Sequence, residues 1–186
     1  MSANWARRLT RWPAHINAGQ VFDMSHVHPF RYSLKLAETP VYPAREVDVR
    51  VGFSAHTFTR SCKQDEEPHA AYSRENDLRV FCESRYALSK WVPDVIRNLD
   101  GRDCFYGNRD NYLVIELPEI VTPGFQYWIF FDVRPVDDDP NAILVFVQSA
   151  YVGSVDRPPY GRRPKRVGFR VLVNLALRRR RPKRPP

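Results

Sequence analysis

Cysteine is scarce in this chain, and long apolar runs are missing. Cys62, Cys82 and Cys104 are an odd number without a CxxC pair, so they offer no disulfide framework and favour a reducing compartment. No stretch approaches the roughly eighteen unbroken apolar residues of a membrane span, and the N-terminus has no apolar signal-peptide core. We therefore expect a cytoplasmic protein without a membrane partner.

The motifs of several common enzyme classes are also missing. The chain has no Walker A, GxGxxG, GxSxG or HExxH pattern, so the usual nucleotide-binding, hydrolase and zinc-protease mechanisms have no support. A zinc centre of His56 with the three cysteines has suitable ligand types, but its spacing matches no compact ligand pattern. We predict no metal and no cofactor. We expect Cys82 and Cys104 to be buried thiols, because free cysteine is among the most buried residue types.

What the chain does contain is a strong hairpin signal. Between Phe125 and Tyr151, two runs rich in β-branched and aromatic residues flank an acidic turn that contains proline. Residues 45–60 alternate between an apolar face, with Val47, Val49, Val51 and Phe53, and a polar face that includes His56, which predicts a half-buried strand with His56 pointing outward. Sixteen prolines argue against an all-helical protein, because each interior proline removes a backbone donor. Strands should therefore dominate.

One segment has helical spacing. Apolar residues from Leu88 to Leu99 recur at intervals of three and four, and Gly101 follows where a C-terminal cap belongs. Pro93 predicts a kink, or a break that opens a second helical segment. Residues 167–177 are predicted to form a last strand. Together these elements predict an α+β fold, a largely antiparallel sheet with a central long hairpin packed on one main helix.

The length of 186 residues suits one domain with extensions. We place a single α+β domain at residues 29–177, after a basic, flexible N-terminal extension over residues 1–28. In that extension, Trp5, Leu9 and Trp12 would share one face of a short helix. Residues 178–186 are predicted to be a disordered Arg/Pro-rich tail, because they have no apolar residue besides proline to offset the entropy of ordering.

The charge of the chain is uneven. Residues 156–186 hold twelve of the 29 Lys and Arg residues and one of the 21 acidic residues, which leaves 17 bases and 20 acids in residues 1–155. Clustered arginine attracts polyphosphate through counterion release and bidentate contacts, so the expected partner is nucleic acid, RNA more than DNA. A tail that solubilises the protein or binds acidic protein is the alternative. The predicted nucleic-acid-binding residues are Arg162, Arg163, Lys165, Arg166, Arg178, Arg179, Arg180, Arg181, Lys183 and Arg184.

His56 is the leading candidate for proton transfer, because imidazole changes its charge near neutral pH. A metal-independent ribonuclease needs a base for the 2′-hydroxyl, an acid for the leaving oxygen and a cation for the phosphate. The alternative is a solvent-facing histidine at a strand end without a catalytic role. The candidate catalytic set is His56, Arg60, Arg85, Tyr86, Ser149 and Tyr151, with Arg60 or Arg85 as the phosphate clamp.

Both faces of the first hairpin strand are apolar. Trp128 and Phe130 share one face, while Tyr127, Ile129 and Phe131 share the other. We expect one face to pack on the main helix. The other face could pack on a loop or a second layer, stack RNA bases, or bind a partner chain.

Several phrases of the sequence have a familiar form: FSAHTFT, RVFCESRYALSKWVPDVIRNL, NYLVIEL and VFVQSAYV, followed by FRVLVNLAL. Together they resemble a family of small uncharacterised bacterial proteins sometimes labelled stationary phase growth adaptation proteins. The resemblance covers roughly residues 29–177. It implies a bacterial, cytosolic setting, an association with mobile elements, and a toxin-like or growth-modulating role. It transfers no catalytic residue.

Two hypotheses follow, and the sequence leaves open whether the protein is an enzyme. The first is a nucleic-acid-binding protein with toxin-like, metal-independent ribonuclease activity. The second is a non-enzymatic interaction protein that uses an apolar sheet face and a basic tail.

Overall fold

A computed structural model describes residues 9–107, 112–116, 121–159 and 165–180. It confirms the α+β fold with a largely antiparallel sheet. Within the described residues, every helix falls short of the length and apolar character of a membrane span.

In chain order the elements are β1 (His15–Asn17), β2 (Gln20–Phe22), β3 (Phe30–Leu36), β4 (Arg45–Phe53), β5 (Thr59–Ser61), β6 (Arg79–Phe81), α1 (Glu83–Ser89), α2 (Val92–Arg97), β7 (Cys104–Tyr106), β8 (Tyr112–Glu116), β9 (Phe125–Val136), β10 (Asp139–Ser154), β11 (Arg166–Val167) and α3 (Phe169–Leu177).

The predicted hairpin is the centre of the main sheet. β9 and β10 pair antiparallel, and the seven strands follow the order β11-β7-β8-β9-β10-β4-β3. The one parallel pairing among these described strands joins β10 to β4. β3 forms one edge of the sheet, and the pairs β1-β2 and β5-β6 form separate two-stranded sheets.

The main core lies between one face of the sheet and the helices. The alternating strand β4 points Val47, Val49 and Val51 inward, and each is fully buried, as the sequence predicted. Burying such a side chain contributes about 1.5–3 kcal/mol. The same core contains buried side chains from β9 and β10 and from all three helices.

The main helical segment breaks as predicted. α1 ends at Ser89, and α2 begins at Val92 with Pro93 in its first turn, where the missing N–H costs no helical hydrogen bond. The expected left-handed cap at Gly101 is wrong. The chain leaves α2 through Asn98 and a short 3₁₀ turn over residues 99–101, and only Gly19 and Gly124 among the described glycines have positive φ.

The predicted last strand is wrong, because residues 169–177 form helix α3. Their β-branched and aromatic content favoured a strand. Their buried positions, however, are Phe169, Leu172, Val173 and Ala176, which have the i, i+3, i+4, i+7 spacing of a helix face. This face packs on β9 and β10.

The folded unit begins before residue 29, where the sequence had placed its start. Phe22, Met24 and Val27 are buried in the main core. The indole Nε1 of Trp12 donates to the Phe53 carbonyl at 3.1 Å, and Leu9 packs on the opposite sheet face. Trp5 and the tail residues 181–186 lie outside the described residues.

The second sheet face is covered by the protein's own side chains. Trp128 and Phe130 are 4% and 8% exposed and form a cluster with Phe105 and Tyr151. The Tyr151 ring stacks on Phe130 with centroids 5.4 Å apart. These aromatic residues are therefore not available as the partner-binding or base-stacking surface that the sequence left open.

Candidate functional site

His56 lies in a short turn that leaves the end of β4. The Ser54 N–H donates to the Val147 carbonyl of β10 at 2.9 Å, which extends the sheet by one residue before the chain turns. The Ser54 hydroxyl then accepts from the His56 N–H, and the Thr59 hydroxyl donates to the Ala55 carbonyl at 2.7 Å. The 3₁₀ turn over residues 55–57 is thus fixed at both ends and presents the half-exposed His56 ring outward, as predicted.

A second turn brings Arg74 and Asp77 to the same place. The two residues exchange both backbone hydrogen bonds, at 3.1 and 3.0 Å, with Glu75 and Asn76 between them. Such a tight turn holds the side chains at its two ends close together. β5 and β6 pair on either side of the loop that carries this turn, and so bring it back beside His56.

His56 and Asp77 form a close pair. The ring Nε2 lies 2.5 Å from Asp77 Oδ2, and each side chain is 37% exposed. A carboxylate is an acceptor only, so it assigns the proton of the neutral ring to Nε2 and leaves the Nδ1 lone pair available. Nδ1 has no partner within the described part of the chain.

Both residues line a small cleft, here called the His56 cleft. Its volume is about 100 Å³, which about three water molecules would fill. Ser54, Ser73 and the exposed Arg74 also line it, and no ion pair of Arg74 is present among the described residues. The cleft therefore combines a proton acceptor, a carboxylate and a free cation.

Arg79 supports Asp77 from the interior. Its guanidinium is nearly fully buried, with Nη1 3.5 Å from Asp77 Oδ1 and Nη2 donating to the Thr59 carbonyl at 2.8 Å. Burial lowers the pKa of Arg79, and the neighbouring Asp77 partly offsets that shift. The carboxylate of Asp77 is thus held between a buried cation and the imidazole of His56.

Among the residues predicted to act with His56, Arg60 and Tyr86 have other partners. Arg60 forms a two-pronged ion pair with Glu66, and its hydrogen bonds lower the pKa of Glu66 to about 2. The buried Tyr86 hydroxyl donates to the Asp23 carbonyl at 2.9 Å and ties α1 to the N-terminal segment. Neither residue lines the His56 cleft.

Arg85, Ser149 and Tyr151 are also outside the lining of the cleft. Arg85 lies behind the turn, where its Nη1 donates to the carbonyls of His56 and Thr59 at 3.2 and 2.8 Å. Ser149 follows a register shift in β10, two residues before Tyr151. Sequence reasoning therefore found His56 but missed its neighbours Asp77 and Arg74, which lie in a loop without periodicity.

The basic C-terminal region is partly folded onto the domain. Arg166 pairs with Asp103, Arg179 pairs with Asp137 at 3.0 Å, and Arg178 lies 4.4 Å above the Tyr42 ring. Lys165 and Arg180 are also described, and the Lys165 carbonyl accepts from the Tyr106 N–H. The remaining predicted contacts, Arg162, Arg163, Arg181, Lys183 and Arg184, lie outside the described residues.

The cysteines differ from one another. Cys104 is fully buried, as predicted, and burial raises the pKa of its thiol to about 12. Cys82 is half-buried at the start of α1, so the prediction of a buried thiol is wrong there. Across the described ranges, no three His, Cys, Asp or Glu side chains come together to hold a metal ion.

Comparison with known protein families finds a match. The sequence profile of the YjaZ family matches residues 13–177, which covers most of the chain and includes the His56 cleft. The match begins next to Trp12, whose indole donates to the Phe53 carbonyl. No curated protein and no solved structure matches the chain. The family description names no reaction or ligand, but the extent of the match shows that this chain belongs to the YjaZ family.

Proposed function

We propose that this protein binds RNA and cleaves its phosphodiester backbone without a metal ion, with His56 as the general base. The observation that carries the proposal is the His56–Asp77 pair, which opens into a cleft bordered by the free cation Arg74. General acid–base catalysis needs a proton acceptor within hydrogen-bond reach of its target, and a carboxylate partner that holds the ring in one tautomer.

Each group has one role in the reaction. Nδ1 of His56 takes the proton of a ribose 2′-hydroxyl, and the oxygen attacks the adjacent phosphorus. The 5′-oxygen leaves with a proton from water, and a 2′,3′-cyclic phosphate remains. Asp77 stabilises the imidazolium that forms, and Arg74 stabilises the extra negative charge on the phosphate oxygens. The small volume of the cleft suits a phosphate and part of a ribose rather than a whole nucleotide.

The basic C-terminal region supplies affinity in this proposal. Clustered Lys and Arg bind polyphosphate without regard to sequence, and this attraction weakens as salt rises. The ion pairs of Arg166 and Arg179 with surface aspartates are exposed, and such pairs contribute about 0–1 kcal/mol, so a phosphate can compete for these arginines. Cleavage of cellular RNA would also give the growth-modulating, toxin-like role that the family resemblance implies.

The experiment is RNA cleavage in EDTA by the wild type, His56→Ala and the control His69→Ala. His69 is an exposed histidine on the same loop as Asp77 and does not line the cleft. We expect His56→Ala to lose about 10²–10⁴-fold in rate, and His69→Ala to cleave normally. An oligodeoxynucleotide with one ribonucleotide should be cut only after that residue. Equal cleavage by the wild type and His56→Ala would remove the proposal.

A non-enzymatic interaction protein is the second candidate, and one observation favours it. In the β1-β2 hairpin, Ile16 and Val21 are cross-strand neighbours and are 70% and 64% exposed. A pair of exposed apolar side chains on a small hairpin is a suitable contact for another protein. If RNA is bound but stays intact in EDTA, and Ile16→Lys abolishes capture of a protein partner, this second function is favoured.

A further inference from the structure

The β1-β2 hairpin is attached to the rest of the fold mainly by two side chains. Among the described strands, β1 and β2 pair with each other alone. Within the described chain, no backbone hydrogen bond joins residues 15–22 to another segment. His15 and Phe22 are cross-strand neighbours and are buried, whereas residues 16–21 between them are exposed. The hairpin is therefore docked through one pair of side chains, and one member of that pair is ionisable.

The His15 ring lies in a nearly closed aromatic environment. It is 7% exposed and stacks on Phe81 of β6, with ring centres 4.0 Å apart. Its Nδ1 lies 3.1 Å from the hydroxyl of the buried Tyr72, an uncharged partner. Burial of an ion is costly unless a charged partner compensates for the lost hydration, so this environment suits the neutral imidazole.

A second histidine faces the same place. The exposed His69 stacks on Tyr72 with ring centres 4.1 Å apart, and its ring centre lies 5.2 Å from that of His15. His69 and Tyr72, both from the loop between β5 and β6, are the titratable groups that face His15. β2 and β6 contribute the apolar rings of Phe22 and Phe81. Burial lowers the pKa of His15, His69 lowers it further, and no carboxylate of the described residues acts on it.

We propose that the β1-β2 hairpin is an acid-released flap, which undocks when His15 and His69 become protonated. In the undocked hairpin, His15 is hydrated and binds protons with its ordinary affinity, whereas the docked ring binds them less readily. Protons therefore favour the undocked form. Docking is complete while the imidazoles are neutral, and it weakens as the pH falls below the ordinary histidine value of 6.5.

The two ends of the hairpin segment remain attached during this release. The Trp12 carbonyl lies 2.9 Å from His28 Nε2, which still donates when the His28 ring is protonated. After the hairpin, the Tyr86 hydroxyl donates to the Asp23 carbonyl at 2.9 Å. The movement is thus confined to the hairpin. No residue of the flap lines the His56 cleft, so its release does not depend on RNA cleavage there.

The test is hydrogen exchange of the full-length protein at about pH 7.5 and about pH 5.5. Protection of the hairpin amides is calculated against the exchange rate of an unstructured peptide at the same pH. An undocked two-stranded hairpin is at best marginally stable, so undocking should reduce its protection. We expect a loss of up to about 10-fold at the lower pH, because an exposed imidazole one unit below its pKa is about ten times more often protonated than neutral. The amides of β9 and β10 should stay protected.

Two variants test the role of the histidines. His15→Phe keeps a ring against Phe81 but cannot ionise, so its hairpin should be equally protected at both pH values. His69→Ala removes the neighbouring charge, and its hairpin should lose less protection at about pH 5.5 than the wild type does. Because His69 is exposed, this second variant decides the matter if His15→Phe does not fold.

His56→Ala is the control, because it removes an exposed histidine outside the hairpin. It should abolish RNA cleavage yet release the flap as the wild type does, which distinguishes failure of the flap from failure of the proposed nuclease. The inference is overturned if the wild-type hairpin is equally protected at both pH values. It is also overturned if His15→Phe, or in its place His69→Ala, loses as much protection as the wild type.

Discussion

Gly153→Ala should destabilise the protein, because the Trp128 indole occupies the space that a Cβ would need. Gly153 pairs with Gln126 in the β9-β10 ladder, and Trp128 lies diagonally across it. A Cβ on Gly153 would stand 1.9 Å from Cζ3 and 2.3 Å from Cη2 of Trp128. Carbon atoms pack at about 3.5–4.0 Å, so the ring would have to move by about 1.5 Å or more.

The indole has little freedom to move that far. Trp128 is 4% exposed, its Nε1 donates to Gln126 Oε1 at 3.3 Å, and the Tyr151 ring stands edge-on 5.7 Å away. Overpacking of this kind costs about 1–3 kcal/mol. At this chain length, each kcal/mol lowers the melting temperature by about 2–4 °C. A Gly→Ala change without a clash usually stabilises a protein by about 0.4–1 kcal/mol. A loss of stability in Gly153→Ala would therefore indicate the clash with Trp128.

The assay is urea denaturation of Gly153→Ala beside Gly101→Ala. A Cβ at Gly101 meets nothing within 4 Å, and its φ is not positive, so this control should unfold at or above the wild-type midpoint. Trp128→Leu should lower the free energy of unfolding less in the Gly153→Ala variant than in the wild type, because the smaller leucine removes the clash with the new Cβ. If Gly153→Ala is as stable as Gly101→Ala, the Trp128 indole does not pack directly over Gly153 and the reasoning is refuted.

Three further outcomes are expected. Asp77→Asn should lower the cleavage rate by about 10²-fold with little change in KM, measured in single-turnover assays, because the amide no longer fixes the His56 tautomer. Burial lowers the pKa values of His15 and His26 below 6.5, so the unfolded chain binds more protons and the urea midpoint should fall as pH drops from about 7.5 to 5.5. His15→Asn should reduce that fall. Deleting residues 181–186, which leaves the described C-terminus of α3 intact, should reduce the salt slope of RNA binding by about 2, since three basic residues at about 0.7 each are lost.

The local patterns of the sequence predicted much of the fold. The alternation that begins at Arg45 became β4, which ends at Phe53, and the runs around the acidic turn became β9 and β10. Pro93 marked the break between α1 and α2. The error at α3 arose because residue composition and periodicity disagreed over residues 169–177, where the helical period was the correct signal. The parallel pairing of β4 with β10 has no local signature, since it joins segments about ninety residues apart.

Only one member of the His56 cleft was predictable. His56 follows a strand with a clear inside and outside, so its outward position could be inferred from alternation. Asp77 and Arg74 belong to a polar loop in which no spacing singles them out. They reach His56 because Arg74 and Asp77 close a tight turn and because β5 pairs with β6. Neither contact leaves a sequence pattern that would identify Asp77 and Arg74 as neighbours of His56.

The position of His56 depends on β10 as much as on β4. The Ser54 N–H donates to Val147, and Phe146 of β10 lines the His56 cleft. On the other side of the turn, Arg85 donates to the His56 carbonyl, and Tyr151 of the same strand supports Arg85. β10 therefore positions the turn that carries His56 directly through Val147 and indirectly through Arg85. The turn is thus fixed by hydrogen bonds to its backbone rather than by side-chain packing alone, so the position of the His56 ring depends on the pairing of β4 with β10.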